Sequence, residues 1–273
     1  MVAELRGPEL HTNTSNRLAG KRIIVTGGAS GLGAALVRSY VAEGAYVVSF
    51  YRRQSGDALL KSLHPDFAER VHFVACDVSQ KDQVDAATAA AVDRMGGLDV
   101  LVNSAGIAPN PPGPAEHIEL STWEEVFAVN ARGTFLTNVA AFPHMRDRGG
   151  RILNIASGAG VFGFEGKAHY SASKGAVIAW TRCVAKEWAK YRITVNAILP
   201  CIITPLALQT RSCFSPDALK AHHEYLRRTI PLGGDLGDAE RDFVPYMVFL
   251  AGDGASFVTG QMISIDGGMT MVR

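Results

Sequence analysis

The chain has 273 residues, of which 47% are hydrophobic and 19% charged, a composition typical of a globular protein with a sizeable core. Its formal net charge of +1 and its few short basic pairs do not indicate a nucleic-acid-binding protein. No stretch has the roughly 18 apolar residues of a membrane helix, and residues 1–20 carry charges but no apolar signal segment. We therefore expect a polar leader over residues 1–20, a cytoplasmic location and no membrane partner.

Short runs rich in β-branched residues alternate with longer helical segments along the chain. This alternation predicts an α/β fold, in which a doubly wound parallel sheet of about seven strands has helices on both faces. Most of the runs read as continuous apolar stretches and do not alternate, as expected of strands that are buried on both faces. No linker divides the chain, so residues 21–273 are predicted to form one catalytic domain. The predicted strands are 22–26, 46–51, 71–75, 98–103, 151–156, 194–199 and 262–265.

The helical segments have recognisable ends. Helices are predicted over residues 32–43, 82–95, 168–191 and 239–251. Gly44 is placed to terminate the first of them, and Ser121 with Glu124 predicts a capping box at the start of a further helix. The proline-rich residues 109–114 are predicted to form a loop. Residues 205–238 are long for a connection, so we expect a substrate loop or lid there.

A glycine-rich turn with the sequence TGGASGLG joins the first predicted strand to the first helix at residues 26–33. Glycines let the backbone approach a pyrophosphate, and a helix N-terminus offers N–H groups and a favourable dipole. A turn of this kind is purely structural in many proteins, but its place within a β-α-β unit favours a dinucleotide site. The predicted contacts are Gly27, Ser30, Gly31, Leu32 and Gly33.

The glycine spacing GxxxGxG resembles that of the short-chain dehydrogenase/reductase family, and further motifs strengthen the resemblance. They are NSAG at 103–106 (NNAG in the family), VNARG at 129–133, YSASK at 170–174, VTGQ at 258–261 and DGG at 266–268. The likeness covers about residues 20–270. It implies a Rossmann-type oxidoreductase that uses a nicotinamide cofactor to interconvert a small-molecule carbonyl compound and an alcohol. It also implies a homotetramer that packs through the helices at 121–145 and 168–191.

The family's catalytic residues match Asn130, Ser157, Tyr170 and Lys174. Reduction of a ketone places negative charge on oxygen, and a tyrosine with a lowered pKa can supply the proton that quenches it. Tyr170 and Lys174 share one helix face, and a nearby ammonium favours the tyrosinate. Ser157 follows the fifth strand and can donate to the same substrate oxygen. By the resemblance, Lys174 also holds the nicotinamide ribose, and Asn130 binds a water that links Lys174 to solvent.

The end of the second strand discriminates between the two nicotinamide cofactors. An acidic residue there accepts from the ribose 2′-OH, whereas a basic residue meets the 2′-phosphate. Tyr51 stands at the acidic position and is followed by Arg52 and Arg53, so NADP(H) is preferred over NAD(H). In the alternative, the arginines are solvated and Tyr51 stacks on the adenine of NAD. Ser30 favours that alternative, because many NADP-dependent members carry a basic residue there.

The remaining cofactor contacts follow from the resemblance alone. Asp77 and Val78 are predicted at the adenine. Ile203 and Thr204 are predicted near the nicotinamide carboxamide, although Cys201 replaces the glycine that usually follows the sixth strand. The turn after the fourth strand adds Asn103, Ala105 and Gly106. The four cysteines have no metal-ligand spacing, so no metal site is expected.

The loops predicted above the nicotinamide are rich in apolar side chains, so we expect an apolar and bulky ketone or secondary alcohol. Arg211 is the candidate for binding a phosphate or carboxylate of the substrate. An enoyl reductase is a rival, but in that class the tyrosine and lysine stand further apart. A non-catalytic dinucleotide-binding sensor commonly lacks the tyrosine or the lysine. The apolar pocket candidates are Phe162, Phe164, Leu206, Leu208 and Phe214.

Overall fold

The computed structural model describes residues 16–53, 56–63, 65–109 and 111–270. Residues 1–15 of the predicted leader and Asn110 of the predicted proline-rich loop lie outside the described residues. The side chain of Leu206 lies outside them as well. No helix in the described ranges is long and apolar enough to cross a membrane.

Seven parallel strands form one sheet in the order β3-β2-β1-β4-β5-β6-β7. They are β1 (Arg22–Thr26), β2 (Tyr46–Tyr51), β3 (Val71–Ala75), β4 (Val100–Asn103), β5 (Gly150–Ile155), β6 (Ile193–Pro200) and β7 (Met262–Ile265). The predicted doubly wound parallel sheet is confirmed, and β4, β5 and β6 differ from their predicted bounds by only one or two residues at an end. The strand order reverses between β1 and β4, and ligands of such sheets bind at the carboxyl ends of the strands beside that reversal.

Helices cover both faces of the sheet. They are α1 (Gly31–Ala42), α2 (Asp57–Ser62), α3 (Pro65–Ala68), α4 (Lys81–Met95), α5 (Leu120–Phe127), α6 (Gly133–Met145), α7 (Ala159–Phe162), α8 (Ala168–Trp188), α9 (Pro205–Ser212), α10 (Pro216–Thr229) and α11 (Val244–Ala251). One buried apolar cluster joins α1 and α11 to the sheet, and a second joins α4, α6 and α8 to the opposite face. Burial of a large aliphatic side chain stabilises a fold by about 1.5–3 kcal/mol, so these two layers fix the helices on the sheet.

The predicted capping box at Ser121 is wrong. α5 begins at Leu120, and its N-cap is Glu119, which has an extended backbone and lies two residues before Ser121. The Trp123 N–H donates to the Glu119 carbonyl oxygen at 3.0 Å. Ser121 is therefore the second residue of the helix, where its backbone is already helical and its hydroxyl cannot take the capping position. The predicted stop at Gly44 agrees with the structure, because this glycine follows the C-cap of α1 with a φ of +91°.

Residues 205–238, predicted as a substrate loop or lid, contain two helices. Thr204 caps α9 by accepting the Ala207 N–H on its Oγ1 at 3.1 Å. Ser215 caps α10 by accepting the Ala218 N–H on its Oγ at 3.2 Å. Each cap is followed by a proline at the first helical position, where the missing N–H costs nothing. The segment is therefore helical where it crosses the carboxyl ends of the strands.

Candidate active site

A cleft of about 460 Å³ opens at the carboxyl ends of the central strands. Its wall includes the residues that directly follow four strands, which are Gly27 after β1, Ser104 after β4, Ala156 after β5 and Cys201 after β6. Side chains from α7, α9 and α10 enclose the other side. The cleft thus lies where the topology of the sheet predicts a ligand.

The glycine-rich turn between β1 and α1 forms one end of the cleft. Gly27 and Gly31 have positive φ angles of 68° and 54°, which other residues rarely adopt. A Cβ on Gly27 would lie 2.9 Å from the Cα of Ala105, and a Cβ on Gly33 would overlap the Gly27 carbonyl oxygen. Ser30 is the N-cap of α1, but its side chain makes no capping hydrogen bond. The backbone N–H groups of this turn are consequently suited to a pyrophosphate.

Thr26, which the sequence analysis did not single out, links the turn to the loop after β4. Its Oγ1 accepts the backbone N–H groups of Ser104 at 3.1 Å and of Ala105 at 3.0 Å. The predicted cofactor residues Ala105 and Gly106 line the cleft beside this link, as do Ser30, Gly31 and Leu32 on the opposite side. These hydrogen bonds therefore fix the loop after β4 relative to the glycine-rich turn at the predicted phosphate site.

Tyr170 and Ser157 meet in the cleft. Tyr170 lies in the first turn of α8, and Ser157 lies in the turn between β5 and α7. Burial raises the pKa of Tyr170, while the hydrogen bond with the Ser157 side chain acts in the opposite direction. Ser157 Oγ also accepts the Ala159 N–H at 3.1 Å, which fixes the serine rotamer. Two hydroxyl groups thus converge where a carbonyl oxygen could accept from both.

Lys174 is buried one helical turn beyond Tyr170. Its Nζ donates to the Ile155 carbonyl oxygen at 2.7 Å and lies 5.9 Å from the centroid of the Tyr170 ring. Burial lowers the pKa of Lys174 to about 8. A buried ammonium attracts negative charge more strongly than one in water, so Lys174 beside the ring favours the ionised phenol.

Asn130 lies in a π-helical turn over Ala128–Arg132, between α5 and α6. Its Oδ1 accepts the Ile107 N–H at 2.9 Å, and its Nδ2 donates to the Ile107 carbonyl oxygen at 2.9 Å and to Ser173 Oγ at 3.0 Å. A Cβ on Gly106 would lie 3.4 Å from both Asn130 Oδ1 and Lys174 Nζ. Asn130 therefore sits behind the cleft and joins the loop after β4 to α8, which carries Tyr170.

The side chain of Asn103 belongs to a buried amide network beneath the cleft. Its Nδ2 donates to Asn154 Oδ1 at 2.8 Å, and its Oδ1 accepts from Thr137 Oγ1 at 2.6 Å. Asn154 donates in turn to Thr181 Oγ1 at 3.0 Å and also pairs with Asn138. The network joins β4, β5, α6 and α8, so this side chain supports the site from below. Contact of Asn103 with a cofactor stays a prediction.

The predicted adenine end of the site lies beyond the cleft. Arg52 is 3.7 Å from Asp77, whose Oδ1 also accepts from Ser79 N at 2.9 Å and Ser79 Oγ at 2.7 Å. Burial raises the pKa of Asp77, but these hydrogen bonds and the Arg52 charge outweigh it and hold the pKa below its usual range. Arg53 is exposed. The described residues that were predicted as cofactor contacts but do not line the cleft are Gly33, Tyr51, Arg52, Arg53, Asp77, Val78, Asn103 and Ile203.

The substrate end of the cleft agrees in part with the predicted residues. Phe162, Phe164, Thr204 and Arg211 line it, whereas the predicted Leu208 and Phe214 are not part of its described wall. Lys167, which no sequence pattern predicted as a site residue, also lines it. Burial of a lysine beside a helix start has no local sequence signature, although the preceding glycine marks a turn there. The described residues contain no cluster of three side chains that could hold a metal ion.

Comparison with known proteins shows which family and which structures the whole chain is similar to. A family model described as enoyl-(acyl carrier protein) reductase matches residues 27–270. Trans-4-hydroxycyclohexanecarboxylate dehydrogenase of Sinomonas cyclohexanicum is 35% identical over 95% of this chain and 96% of its own length. The 3-oxoacyl-[acyl-carrier-protein] reductase FabG of Thermotoga maritima is 36% identical over 93% of this chain and 100% of its own length. The crystal structure of Cj0485 dehydrogenase superposes with a TM-score of 0.83 at 28% identity, covering 94% of this chain and 97% of that chain.

Proposed function

The chain belongs to the short-chain dehydrogenase/reductase family of oxidoreductases that act on alcohols and ketones, and we propose that it interconverts an apolar ketone and a secondary alcohol with NADP(H). The observation that carries the proposal is the convergence of Tyr170, Ser157 and Lys174 in one cleft with the glycine-rich turn. The three residues between Tyr170 and Lys174 argue against an enoyl reductase, despite the description of the matching family model.

The chemistry divides between cofactor and protein. When bound, the nicotinamide supplies a hydride to the carbonyl carbon or removes one from the alcohol carbon. Ser157 Oγ and the Tyr170 hydroxyl bind the substrate oxygen and fix its position. In reduction Tyr170 releases its proton to that oxygen, and in oxidation the tyrosinate takes the proton back. Reduction leaves a tyrosinate that Lys174 stabilises until it regains a proton from solvent, and oxidation runs the same proton transfers in reverse.

The residues around the cleft fit a dinucleotide cofactor. The pyrophosphate would be held by the backbone of Gly27, Ser30, Gly31 and Leu32. A Cβ on Gly27 would clash with Ala105 in the loop after β4, so a glycine is needed for the backbone to take this position. Lys174 would hold the nicotinamide ribose. Thr204 and Ile203 would lie at the carboxamide, and Asp77 and Val78 at the adenine.

The preference for NADP(H) rests on the end of β2. Tyr51 supplies no carboxylate for a ribose 2′-OH, and Asp77 is already engaged by Ser79 and Arg52. Arg52 and Arg53 offer guanidinium groups to a 2′-phosphate. The contact between Arg52 and Asp77 partly offsets this positive charge and so adds support to the NAD(H) alternative.

The decisive experiment measures absorbance at 340 nm with NADPH and NADH in parallel against cyclic and acyclic ketones. The relative from Sinomonas is named for a cyclic secondary alcohol, so substituted cyclohexanones belong in the panel. We expect turnover, with NADPH preferred. A preference for NADH would refute the cofactor assignment, and cofactor binding without turnover of any carbonyl or alcohol would favour a sensor.

A homotetramer is part of the proposal. Trp123 on α5 and Phe135 and Val139 on α6 are each about 40% exposed, which leaves an apolar face on two of the helices expected at the interface. Trp123 also stacks on Phe127 at 4.6 Å between ring centroids, which adds an aromatic pair to this face. Sedimentation equilibrium should give four times the chain mass, and a monomer would contradict the assignment. The cytoplasmic location stays a prediction.

A further inference from the structure

Two hydrogen bonds join α8 directly to β5 in the described part of the chain. One runs from Lys174 Nζ to the Ile155 carbonyl oxygen and belongs to the catalytic site. The other runs from Asn154 Nδ2 to Thr181 Oγ1 at 3.0 Å, and both of these residues are fully buried. Neither Asn154 nor Thr181 lines the described wall of the cleft. Their bond therefore acts on the reaction only through the two elements that it joins.

The side chain of Asn154 uses all of its hydrogen-bonding capacity. Its Oδ1 accepts from Asn103 Nδ2 at 2.8 Å and from Asn138 Nδ2 at 3.0 Å. Its Nδ2 donates to Asn138 Oδ1 at 3.2 Å and to Thr181 Oγ1 at 3.0 Å. An amide has two N–H donors and one oxygen with two lone pairs, so all four positions are occupied. Loss of the Thr181 hydroxyl would leave one buried N–H without an acceptor, which favours a shift of the strand end or of the helix.

Asn154 lies at the point where β5 extends beyond its neighbour β4. β4 ends at Asn103, which is opposite Asn154, so within the described sheet the rest of β5 has no partner on that side. On the other side, the Ala156 N–H donates to the Ile198 carbonyl oxygen at 2.8 Å. The segment that leads to Ser157 is therefore paired with β6 alone, and Asn154 is the last residue of β5 that is bonded on the β4 side.

Tyr170, Lys174 and Thr181 lie on one stripe of α8. Their spacings of four and seven residues are close to one and two turns of a helix with about 3.6 residues per turn, so the three side chains leave the same side of the helix. At about 1.5 Å per residue, Thr181 lies about 10 Å along the axis from Lys174. The turns between them are continuous α-helix. A displacement of α8 at Thr181 would therefore also displace Tyr170 and Lys174.

The bond between Asn154 and Thr181 differs from the bond between Lys174 and Ile155 in its chemistry. Lys174 is proposed to hold the nicotinamide ribose and to stabilise the tyrosinate, so its own contacts change during a catalytic cycle. The amide of Asn154 and the hydroxyl of Thr181 do not ionise, and their bond does not depend on the protonation state of the site. It can therefore keep α8 at one position along β5 while the proton is transferred.

We propose that Asn154 and Thr181 are positioning residues for the reaction. Their hydrogen bond fixes α8 along β5, and it thereby keeps Tyr170 and Lys174 within reach of Ser157. This inference rests on the ketone–alcohol activity proposed above. Reaction rates depend steeply on such placement, because a misplacement of about 1 Å can lower a rate about a hundredfold.

Steady-state kinetics of Thr181→Val test the inference, since valine has the shape of threonine but lacks the hydroxyl group. We expect kcat for ketone reduction to fall about tenfold or more, while the KM for NADPH changes by less than about threefold. The KM is spared because the loop after β4 keeps its own hydrogen bonds to Thr26 Oγ1. Thr181→Ser restores the hydroxyl group and should recover most of kcat. Thr88→Val, at a buried threonine of α4, is the matched control and should keep the full kcat.

The outcomes separate this inference from the proposed activity. An unchanged kcat in Thr181→Val, an equal loss in Thr88→Val, or a loss that Thr181→Ser does not recover would each overturn the inference and leave the ketone chemistry standing. If Thr181→Val does not fold, as judged by circular dichroism, Thr181→Cys takes its place with the same expectation, because a thiol is a weak acceptor.

Crystal structures decide the inference even if the wild-type protein turns over no ketone, a result that would count against the proposed activity alone. In Thr181→Val we expect Lys174 Nζ to lie about 0.5 Å or more further from the Ile155 carbonyl oxygen than in the wild type, a displacement large enough to disturb a catalytic geometry. An unmoved Lys174 in the variant would overturn the inference.

Discussion

The Nζ of Lys174 donates to the Ile155 carbonyl oxygen at 2.7 Å, and so the last residue of β5 holds the ammonium beneath the Tyr170 ring. Ser157 stands two residues beyond Ile155, which means that one short segment carries both the anchor of the lysine and the partner of the tyrosine. The spacing of these groups therefore follows from the end of a single buried strand.

Removal of the Tyr170 hydroxyl should abolish most of the activity. Tyr170→Phe keeps the ring and its packing but loses the proton donor, so we expect kcat/KM for ketone reduction to fall by about 10²- to 10⁴-fold. Steady-state kinetics at 340 nm give the measurement, and Tyr46→Phe, on a half-exposed ring far from the cleft, is the control. Full turnover by Tyr170→Phe would rule out the assigned acid/base.

The stability of the protein without cofactor should depend on pH through Lys174. Burial lowers its pKa from 10.5 to about 8, so the unfolded state holds more protons than the folded state between these two values. The free energy of unfolding should therefore rise with pH over this interval, by up to about 3 kcal/mol for this group. Urea unfolding of the wild type and of Lys174→Met from pH 7 to pH 10.5 measures the difference. Parallel curves for the two proteins would contradict the buried cation.

Neutralising the arginines after β2 should act selectively on NADPH. Arg52→Gln and Arg53→Gln together remove the guanidinium groups proposed for the 2′-phosphate, so the KM for NADPH should rise by about ten- to hundredfold. The KM for NADH should change much less. Arg228→Gln, on exposed α10, serves as the control for net charge. An equal effect on both cofactors would show that the arginines do not read the 2′ position.

A methyl group on Gly33 should disrupt the phosphate turn. The Cβ of Gly33→Ala would overlap the Gly27 carbonyl oxygen and lie 2.9 Å from the Cα of Gly28, and neither backbone atom can move without shifting the turn. Fluorescence titration should show NADPH affinity reduced about tenfold or more. Gly113→Ala is a matched control, because nothing lies within 4 Å of its Cβ position. Unchanged affinity in Gly33→Ala would mean that this turn does not hold the pyrophosphate.

The sheet could be predicted from the sequence because its information is local. Runs such as 22–26 and 46–51 are mostly apolar and do not alternate between polar and apolar residues, which is the pattern expected of strands buried on both faces. The predicted cap at Ser121 was wrong because a serine followed three residues later by a glutamate also occurs inside helices. The pattern alone therefore does not locate the first residue of a helix. Thr204 and Ser215 each precede a proline, a pattern that marks the start of a helix, but no helix was predicted at α9 or α10.

The site could be predicted only where its residues carry motifs. Tyr170, Ser157 and Lys174 stand at family positions, and the structure brings them to one cleft. Lys167 had no such signal, because its burial depends on the proline-rich loop and α9, which approach it only in the folded chain. The amide network of Asn103 was equally hidden, since its partner Asn154 becomes a neighbour only when β4 pairs with β5.

The π-helical turn over Ala128–Arg132 makes α5 and α6 one continuous rod with a single surplus residue. Deleting any one of its five residues would allow the rod to anneal into a regular α-helix. The bulge that presents the Asn130 side chain to both Ile107 and Ser173 would then be lost. Asn130 would lose either Ile107 or Ser173 as a partner. The position of Asn130 therefore depends on the number of residues in this rod as well as on the identity of its side chains.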